Sequence, residues 1–344
     1  MTIGQRKLDH LRLVIDDPQV NRQGNYFDRF RLMHCALPEC DLKDIDTRCT
    51  FLGKELQLPL LISSMTGGSH PDITKINRHL AEAAEACGIA LAVGSQRIQF
   101  EQAQAINSFA LRQFAPTIPL IANIGAVQLN YGLGFEQAQT AIDTLQADGL
   151  YLHLNPLQEA IQPEGNTNFA GLWEKIAQLT QQLNKPILLK EVGCGLSPQL
   201  IQKGLMHGIT YFDVAGQGGT SWSRIEHHRS QGNHSGITFQ DWGLPTPWIL
   251  QQCRPLATQT TLIASGGLRN GVDVVKSLVL GAHIAGMAAP FLKPAMESTH
   301  AVIQTIEQIA QEIRIALLLL GETNINAIRL NDSLIIDIPE GAHR

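Results

Sequence analysis

The sequence predicts an α/β protein, a (β/α)8 barrel carrying an N-terminal extension. Three observations predict it. Eight short runs are almost continuously apolar, as parallel strands buried on both faces require. Stretches with helical spacing fall between them. Nearly every run ends in a polar or glycine-rich cluster, spread over all eight units. An open doubly wound sheet also alternates strand and helix, but it gathers its ligand-binding residues at one switch point. Eight units over ~290 residues suit the closed TIM-type barrel, whose active site lies at the C-terminal ends of the strands.

The chain has 344 residues, a net charge of -5 and 17% charged residues. A barrel core is easily supplied at this length. The acidic balance gives no signature of nucleic-acid binding. No apolar run approaches the ~18 residues of a membrane span, and Met1–His10 lacks the apolar stretch of a signal peptide. The six cysteines include no CxxC pair. They are expected to be reduced thiols in a cytoplasmic protein.

Residues 1–55 read as an extension with a short helix and a strand near Thr47–Leu52; residues 56–344 read as the barrel. The expected strands are Leu58–Ser64, Ile89–Gly94, Pro119–Ile124, Gly149–Asn155, Pro186–Val192, Ile209–Ala215, Thr261–Ser265 and His283–Met287. The spacing of Ile73, Ile76, Leu80, Ala83, Ala84 and Cys87 predicts a helix after the first strand. Others are expected over Phe135–Leu145, Phe169–Leu183, Pro198–Met206, Val272–Leu280 and Val302–Leu320, the last stopped by Gly321. The polar stretch 223–239 reads as a lid loop. Its His227, His228 and His234 match no strong metal spacing.

The strand ends carry the chemistry. The first leads into Ser64-Met65-Thr66-Gly67-Gly68, small enough for backbone amides to approach a flat or anionic ligand. The second leads into Ser95-Gln96-Arg97, suited to an anion through the paired donors of arginine. Asn123 is a polar residue within an apolar run, either a satisfied core amide or a ligand contact. The fourth strand opens onto His153-Leu154-Asn155-Pro156-Leu157-Gln158-Glu159, where a carboxylate can hold a hard cation. Lys190 lies between leucines in a buried strand and needs a partner. An anionic or electron-rich cofactor would supply one; a Schiff base or an ion pair to Glu191 are the alternatives. Glycine-rich turns follow the sixth and seventh strands, with Gly216, Thr220, Gly267, Leu268 and Arg269, and Ala288-Ala289 follows the eighth. Such turns on consecutive strands point to a phosphate-bearing ligand.

Taken in order, Arg6-Lys7, Ser64-Met65-Thr66-Gly67-Gly68, Gly94-Ser95-Gln96-Arg97, the His153–Glu159 cluster, Lys190-Glu191-Val192-Gly193 and Gly218-Gly219-Thr220 make the chain resemble the type 2 isopentenyl-diphosphate isomerases, from Arg6 to about Leu320. The resemblance implies FMN across the barrel mouth, active when reduced and reduced at the expense of NADPH or NADH. It implies Ser64, Met65, Thr66, Ser95 and Asn123 around the ring, and Lys190 at its pyrimidine edge. It places Gly216, Thr220, Gly267, Leu268, Arg269, Ala288 and Ala289 around the ribityl phosphate. Arg6, Lys7, Ser95, Gln96, Arg97 and Gln158 would grip the substrate diphosphate, and Glu159 would hold Mg2+ against it. The implied reaction moves a double bond between isopentenyl and dimethylallyl diphosphate by protonation and deprotonation. The reduced flavin would be the main acid/base, Gln158 an orienting or relay group, and His10 and His153 support residues. A homo-oligomer, tetramer or octamer, is also implied. The rivals are another FMN barrel oxidoreductase and a non-catalytic flavin-binding barrel. The sixth-strand loop lacks the cysteine of an inosinate dehydrogenase-like enzyme, and no His–Arg pair for a hydroxy acid stands out.

Overall fold

The computed structural model describes residues 13–14, 17–20, 26–65, 67–68, 70–229 and 235–338. Arg6, Lys7, His10, Thr66 and His234 lie outside them. Eight parallel strands close into a barrel: β1 (Leu60–Ile62), β2 (Ala90–Ala92), β3 (Leu120–Gly125), β4 (Gly149–Leu154), β5 (Ile187–Glu191), β6 (Tyr211–Asp213), β7 (Thr261–Ser265) and β8 (Ile284–Met287). Each falls within or against an expected run. Several are shorter at both ends, as with Leu60–Ile62 inside Leu58–Ser64 and Tyr211–Asp213 inside Ile209–Ala215.

The longer helices are α1 (Pro71–Cys87), α2 (Phe135–Leu145), α3 (Leu172–Gln182), α4 (Pro198–Met206), α5 (Trp222–Arg229), α6 (Thr246–Cys253), α7 (Gly271–Val279), α8 (Ala289–Glu297) and α9 (Thr299–Leu320). Side-chain caps start several of them: Ser197 accepts from Leu200 N, Asn270 from Asp273 N and Ser298 from Ala301 N. Helix α9 stops at Gly321, whose φ of 72° suits a left-handed cap. The described residues of the stretch expected as a lid loop are largely helical, in α5 and in Ser235–Thr238. Its Ile225 and Glu226 are buried, and Glu226 accepts a hydrogen bond from Gln158.

Alternation along the strands sorts the core. Leu61, Ala90, Ala92, Ile121, Tyr151, Leu188, Ile263 and Ile284 fill the barrel interior together with Phe51 and Leu56. The last two come from an antiparallel hairpin, Cys49–Phe51 with Lys54–Leu56, which straddles residues 55 and 56 and plugs the barrel from below. A second antiparallel pair, Phe30–Leu32 with Ile335–Asp337, ties the two ends of the described chain together.

Asp148 fastens the hairpin. Its carboxylate accepts from Lys54 Nζ at 2.9 Å, Arg112 Nη2 at 2.8 Å and Leu120 N at 2.9 Å. Burial pushes this carboxyl up, but these three donors outweigh it and hold it below its ordinary value. A depressed carboxyl stabilises the fold above its unfolded pKa and loses that contribution as pH falls through the folded value. Asp148→Ala is therefore expected to cost about 3 kcal/mol at pH 7, leaving two cations short of a partner. Urea denaturation at pH 7 and pH 3 checks this: the gap between variant and parent should shrink at the lower pH.

Candidate active site

A cavity of about 740 Å3 lies at the C-terminal ends of the strands. Its size suits a cofactor or drug-sized ligand.

The floor is built by the inward positions one step above the apolar core. On β5, Leu188 faces the interior, and so does Lys190 two residues on. Register pairs Lys190 with Asp213 on β6. Lys190 Nζ donates to Asp213 Oδ2 at 2.8 Å and to Ser265 Oγ at 3.3 Å. Tyr151 OH donates to the same Asp213 oxygen at 2.9 Å, and Ser265 Oγ donates to Oδ1. Burial, then the Asp213 charge and hydrogen bond, push the Tyr151 hydroxyl well above its ordinary value. It stays a donor. Lys190 is thus paired with a carboxylate on the adjacent strand, Asp213, and not with Glu191. Glu191 faces away and organises the following loop, accepting the backbone N–H groups of Val192, Gly193, Cys194 and Gly195.

Asn123 is a satisfied amide at the edge of the cavity. It is nearly buried, yet lines the cavity. Its Nδ2 donates to Val93 O at 3.0 Å, so its Oδ1 is the acceptor facing His153 Nδ1 at 2.8 Å. That assigns the proton to His153 Nδ1. Gln96, expected to grip a diphosphate, does not line the cavity. It is fully buried behind the wall. Its Nε2 donates to Ala141 O at 2.9 Å and its Oε1 accepts from Asn123 N at 2.9 Å. The side chain is spent on tying the turn after β2 to β3 and to α2. Ser95 and Arg97 on either side of it do line the cavity.

One wall is polar. Gln158 Oε1 accepts from Asn155 Nδ2 at 3.1 Å, and its Nε2 donates to Glu226 Oε1 at 3.0 Å. Glu226 is fully buried on α5 and pairs with Arg229. Glu159 Oε2 accepts from Gln162 Nε2 at 2.7 Å and Asn166 N at 2.6 Å, and its Oε1 accepts from Asn155 Nδ2 at 3.1 Å. A carboxylate has about four acceptor positions. One on Oε1 therefore remains for a cation. Arg97 is aimed by Glu101 and by Asn166 Oδ1, which also accepts from Gln128 Nε2.

The opposite wall is backbone. The 216–219 and 266–267 turns lie against each other so closely that a Cβ on Gly266 would stand 2.0 Å from Gly216 O. Gly216, Thr220, Gly267, Leu268 and Arg269 line this side, with Ala288 and Ala289 at the start of α8. Arg269 is held on both of its bidentate edges, by Asp273 through Nε at 2.9 Å and by Asp28 through Nη2 at 2.7 Å. These bonds raise an already high guanidinium pKa. Ser64 and Met65 complete the ring of expected residues. The Oγ atoms of Ser63 and Ser64 are buried without a hydrogen-bond partner. Buried hydroxyls in that state call for a polar ligand. With the close-packed glycine cradle, they fit a flat, phosphate-bearing cofactor.

Asp213, Glu226 and Trp222 were not singled out from the sequence. Asp213 carried a usable signal, a charged residue in a buried strand as at Lys190. Glu226 lies in a stretch that reads as solvated loop.

Residues 136–335 match the family described as FMN-dependent dehydrogenase. The chain is 57% identical to an isopentenyl-diphosphate delta-isomerase of Hydrogenovibrio crunogenus, over 97% of this chain and 98% of that protein. It is 55% identical to one of Paracoccus zeaxanthinifaciens (97% of each) and 46% to one of a Nostoc species (96% and 95%). Among solved structures it superposes on a flavocytochrome b2 variant with a TM-score of 0.67 at 16% identity, covering 95% of this chain and 82% of that one. A mandelate oxidase variant gives 0.64 at 17%, covering 96% and 98%. At those identities the likeness is one of fold.

Proposed function

The chain belongs to the isopentenyl-diphosphate delta-isomerase family, in its FMN-dependent form, and from that premise we propose how its cavity is divided between cofactor and substrate. The enzyme interconverts isopentenyl and dimethylallyl diphosphate. The observation that carries this is identity of 57% over 97% of the chain. Reduced FMN, when bound, supplies proton exchange at its ring edge and an electron-rich face beside the cationic transition state.

The residues of the chain do the rest. Gly216, Thr220, Gly267, Leu268, Arg269, Ala288 and Ala289 hold the ribityl phosphate through backbone amides and one hydroxyl. Ser64, Met65, Thr66, Ser95 and Asn123 surround the ring. Lys190, fixed by Asp213, presents positive charge to its electron-rich edge. Gln158, held between Asn155 and Glu226, orients the alkene end. His153 supports Asn123. Arg97 and Ser95, with Arg6 and Lys7, grip the diphosphate, and His10 is a support residue. Glu159 holds Mg2+ with its remaining lone pair. Among the described residues no group of three His, Cys, Asp or Glu side chains is placed to hold a metal. A small hard cation that keeps its waters and takes phosphate oxygens needs only one such carboxylate. NADPH or NADH reduces the flavin at its own site, since no separate dinucleotide fingerprint is present. A homo-oligomer completes the reading. Among the described residues no helix is long and apolar enough to cross a membrane.

Anaerobic incubation of the FMN-loaded protein with isopentenyl diphosphate and Mg2+ tests the function. Dimethylallyl diphosphate should accumulate after flavin reduction. Oxidation of a 2-hydroxy acid without isomerisation would replace this reading with that of an oxidoreductase. Glu159→Gln is expected to keep FMN and to raise the Mg2+ concentration for half-maximal rate about ten-fold or more, the loss of one charged ligand. A magnesium titration of both proteins reads it.

A further inference from the structure

Helix α5 forms one side of the polar wall through Trp222 and Glu226. Its other side is gripped by a segment from the start of the chain. Asp17 Oδ2 accepts from Arg224 Nε at 3.2 Å and from His228 Nε2 at 2.7 Å. Arg224 Nη2 also donates to Gln19 Oε1, and its Nη1 to Gln240 Oε1 at 2.9 Å. Ser221 N donates to Val20 O at 2.8 Å, and the Val20 side chain is fully buried. Val14, three positions before Asp17 in the sequence, lines the cavity itself. Asp17 N donates to Leu13 O at 3.1 Å, so Asp17 is tied to the residue next to Val14.

A single short segment therefore touches the cavity with one residue and clamps the outside of the wall helix with another. The clamp is charged and mostly sheltered: the side chains of Arg224 and Asp17 are 15% and 20% exposed. Burial pushes the Asp17 carboxyl up, but Gln19 N, His228 and Arg224 outweigh it and keep it below its ordinary value. Two donors on successive turns of α5, Arg224 and His228, converge on one carboxylate. That geometry resists rotation of the helix about its axis. Rotation is the motion that would carry Glu226 away from Gln158.

We propose that Asp17 is a positioning residue for substrate binding: through Arg224 and His228 it fixes the rotation of α5, and with it Trp222 and the Glu226–Gln158 contact. The proposal rests on the isomerase reading above. It gives the substrate side of the cavity, more than the cofactor side, a dependence on the N-terminal segment. Glu226 then acts on Gln158 from a helix whose setting is decided outside the cavity.

The test is a double-mutant cycle with Asp17→Ala, Arg224→Ala and the pair, in the FMN-loaded enzyme. Asp17→Asn, which keeps the shape and loses the charge, stands in if Asp17→Ala does not fold. The readouts are KM and kcat for isopentenyl diphosphate, calorimetric binding of isopentenyl diphosphate with Mg2+ to the oxidised holoenzyme, and FMN affinity. Each single variant should weaken isopentenyl diphosphate about five- to ten-fold by both binding and KM, the effect of losing one sheltered charged contact. FMN affinity should stay within about two-fold, and the double variant should be no worse than either single one. Unchanged isopentenyl diphosphate binding, strictly additive losses, or equal losses of FMN and substrate would each overturn the proposal. If the unmodified holoenzyme turned over no isopentenyl diphosphate, the functional reading would fail instead, so the two failures are distinguishable.

Discussion

Lys190→Met is expected to abolish measurable turnover and to destabilise the fold by about 3–5 kcal/mol, because it leaves Asp213 charged and fully buried without its cation. Tyr151 and Ser265 would remain as donors, but a hydroxyl does not neutralise a buried carboxylate. Loss of activity should exceed about a hundred-fold, since removing one charged donor aimed at developing charge costs that much in other enzymes. Stability and catalysis can be separated here. The double variant Lys190→Met with Asp213→Asn removes both charges and should recover most of the lost stability, since a neutral buried pair carries no desolvation penalty of that size. It should recover none of the activity. Urea denaturation and anaerobic turnover on the three proteins check both halves. A single variant with full stability would mean that Asp213 is not charged in the folded protein.

Gly266→Ala is expected to lose FMN, with affinity falling about a hundred-fold or more. Two causes combine. The residue has φ of 93°, which costs an alanine about 1–3 kcal/mol. The added methyl would also stand 2.0 Å from Gly216 O, so the two turns of the cradle must separate. Gly132→Ala separates the causes. Gly132 has the same φ of 93°, and nothing lies within 4 Å of where its Cβ would be. It should show the backbone cost in a melting curve and leave FMN affinity unchanged. Flavin fluorescence on dilution gives the affinities. Equal behaviour of the two variants would show that the cradle does not depend on close approach of its backbones.

The barrel was legible because its signal is repeated. Each strand must be apolar on both faces, so β3 (Leu120–Gly125) and β4 (Gly149–Leu154) stand out as runs without needing a partner to explain them. The cavity residues were legible for the complementary reason. Lys190 and Asn123 interrupt such runs, and a barrel sends those interruptions to one mouth. What sequence could not give was the direction of a side chain at a turn. Ser95, Gln96 and Arg97 are consecutive, yet Gln96 turns into the wall and its neighbours into the cavity. Long-range pairing was equally hidden. Asp17 meets Arg224 and Asp28 meets Arg269 across more than two hundred residues. The helix over Trp222–Arg229 escaped because its buried face is Ser223, Ile225 and Glu226, which carries little apolar periodicity.

In the proposed reaction the barrel uses FMN without net redox change. The most direct measurement is the ratio of product to reducing equivalents. The oxidised holoenzyme is reduced once with a stoichiometric amount of dithionite under anaerobic conditions, then given excess isopentenyl diphosphate and Mg2+, and its absorbance is followed with product. Many molecules of dimethylallyl diphosphate should form per flavin while the spectrum stays that of the reduced form. One molecule of a saturated, two-electron-reduced diphosphate per flavin, formed as the oxidised spectrum returns, would overturn this and make the enzyme an oxidoreductase.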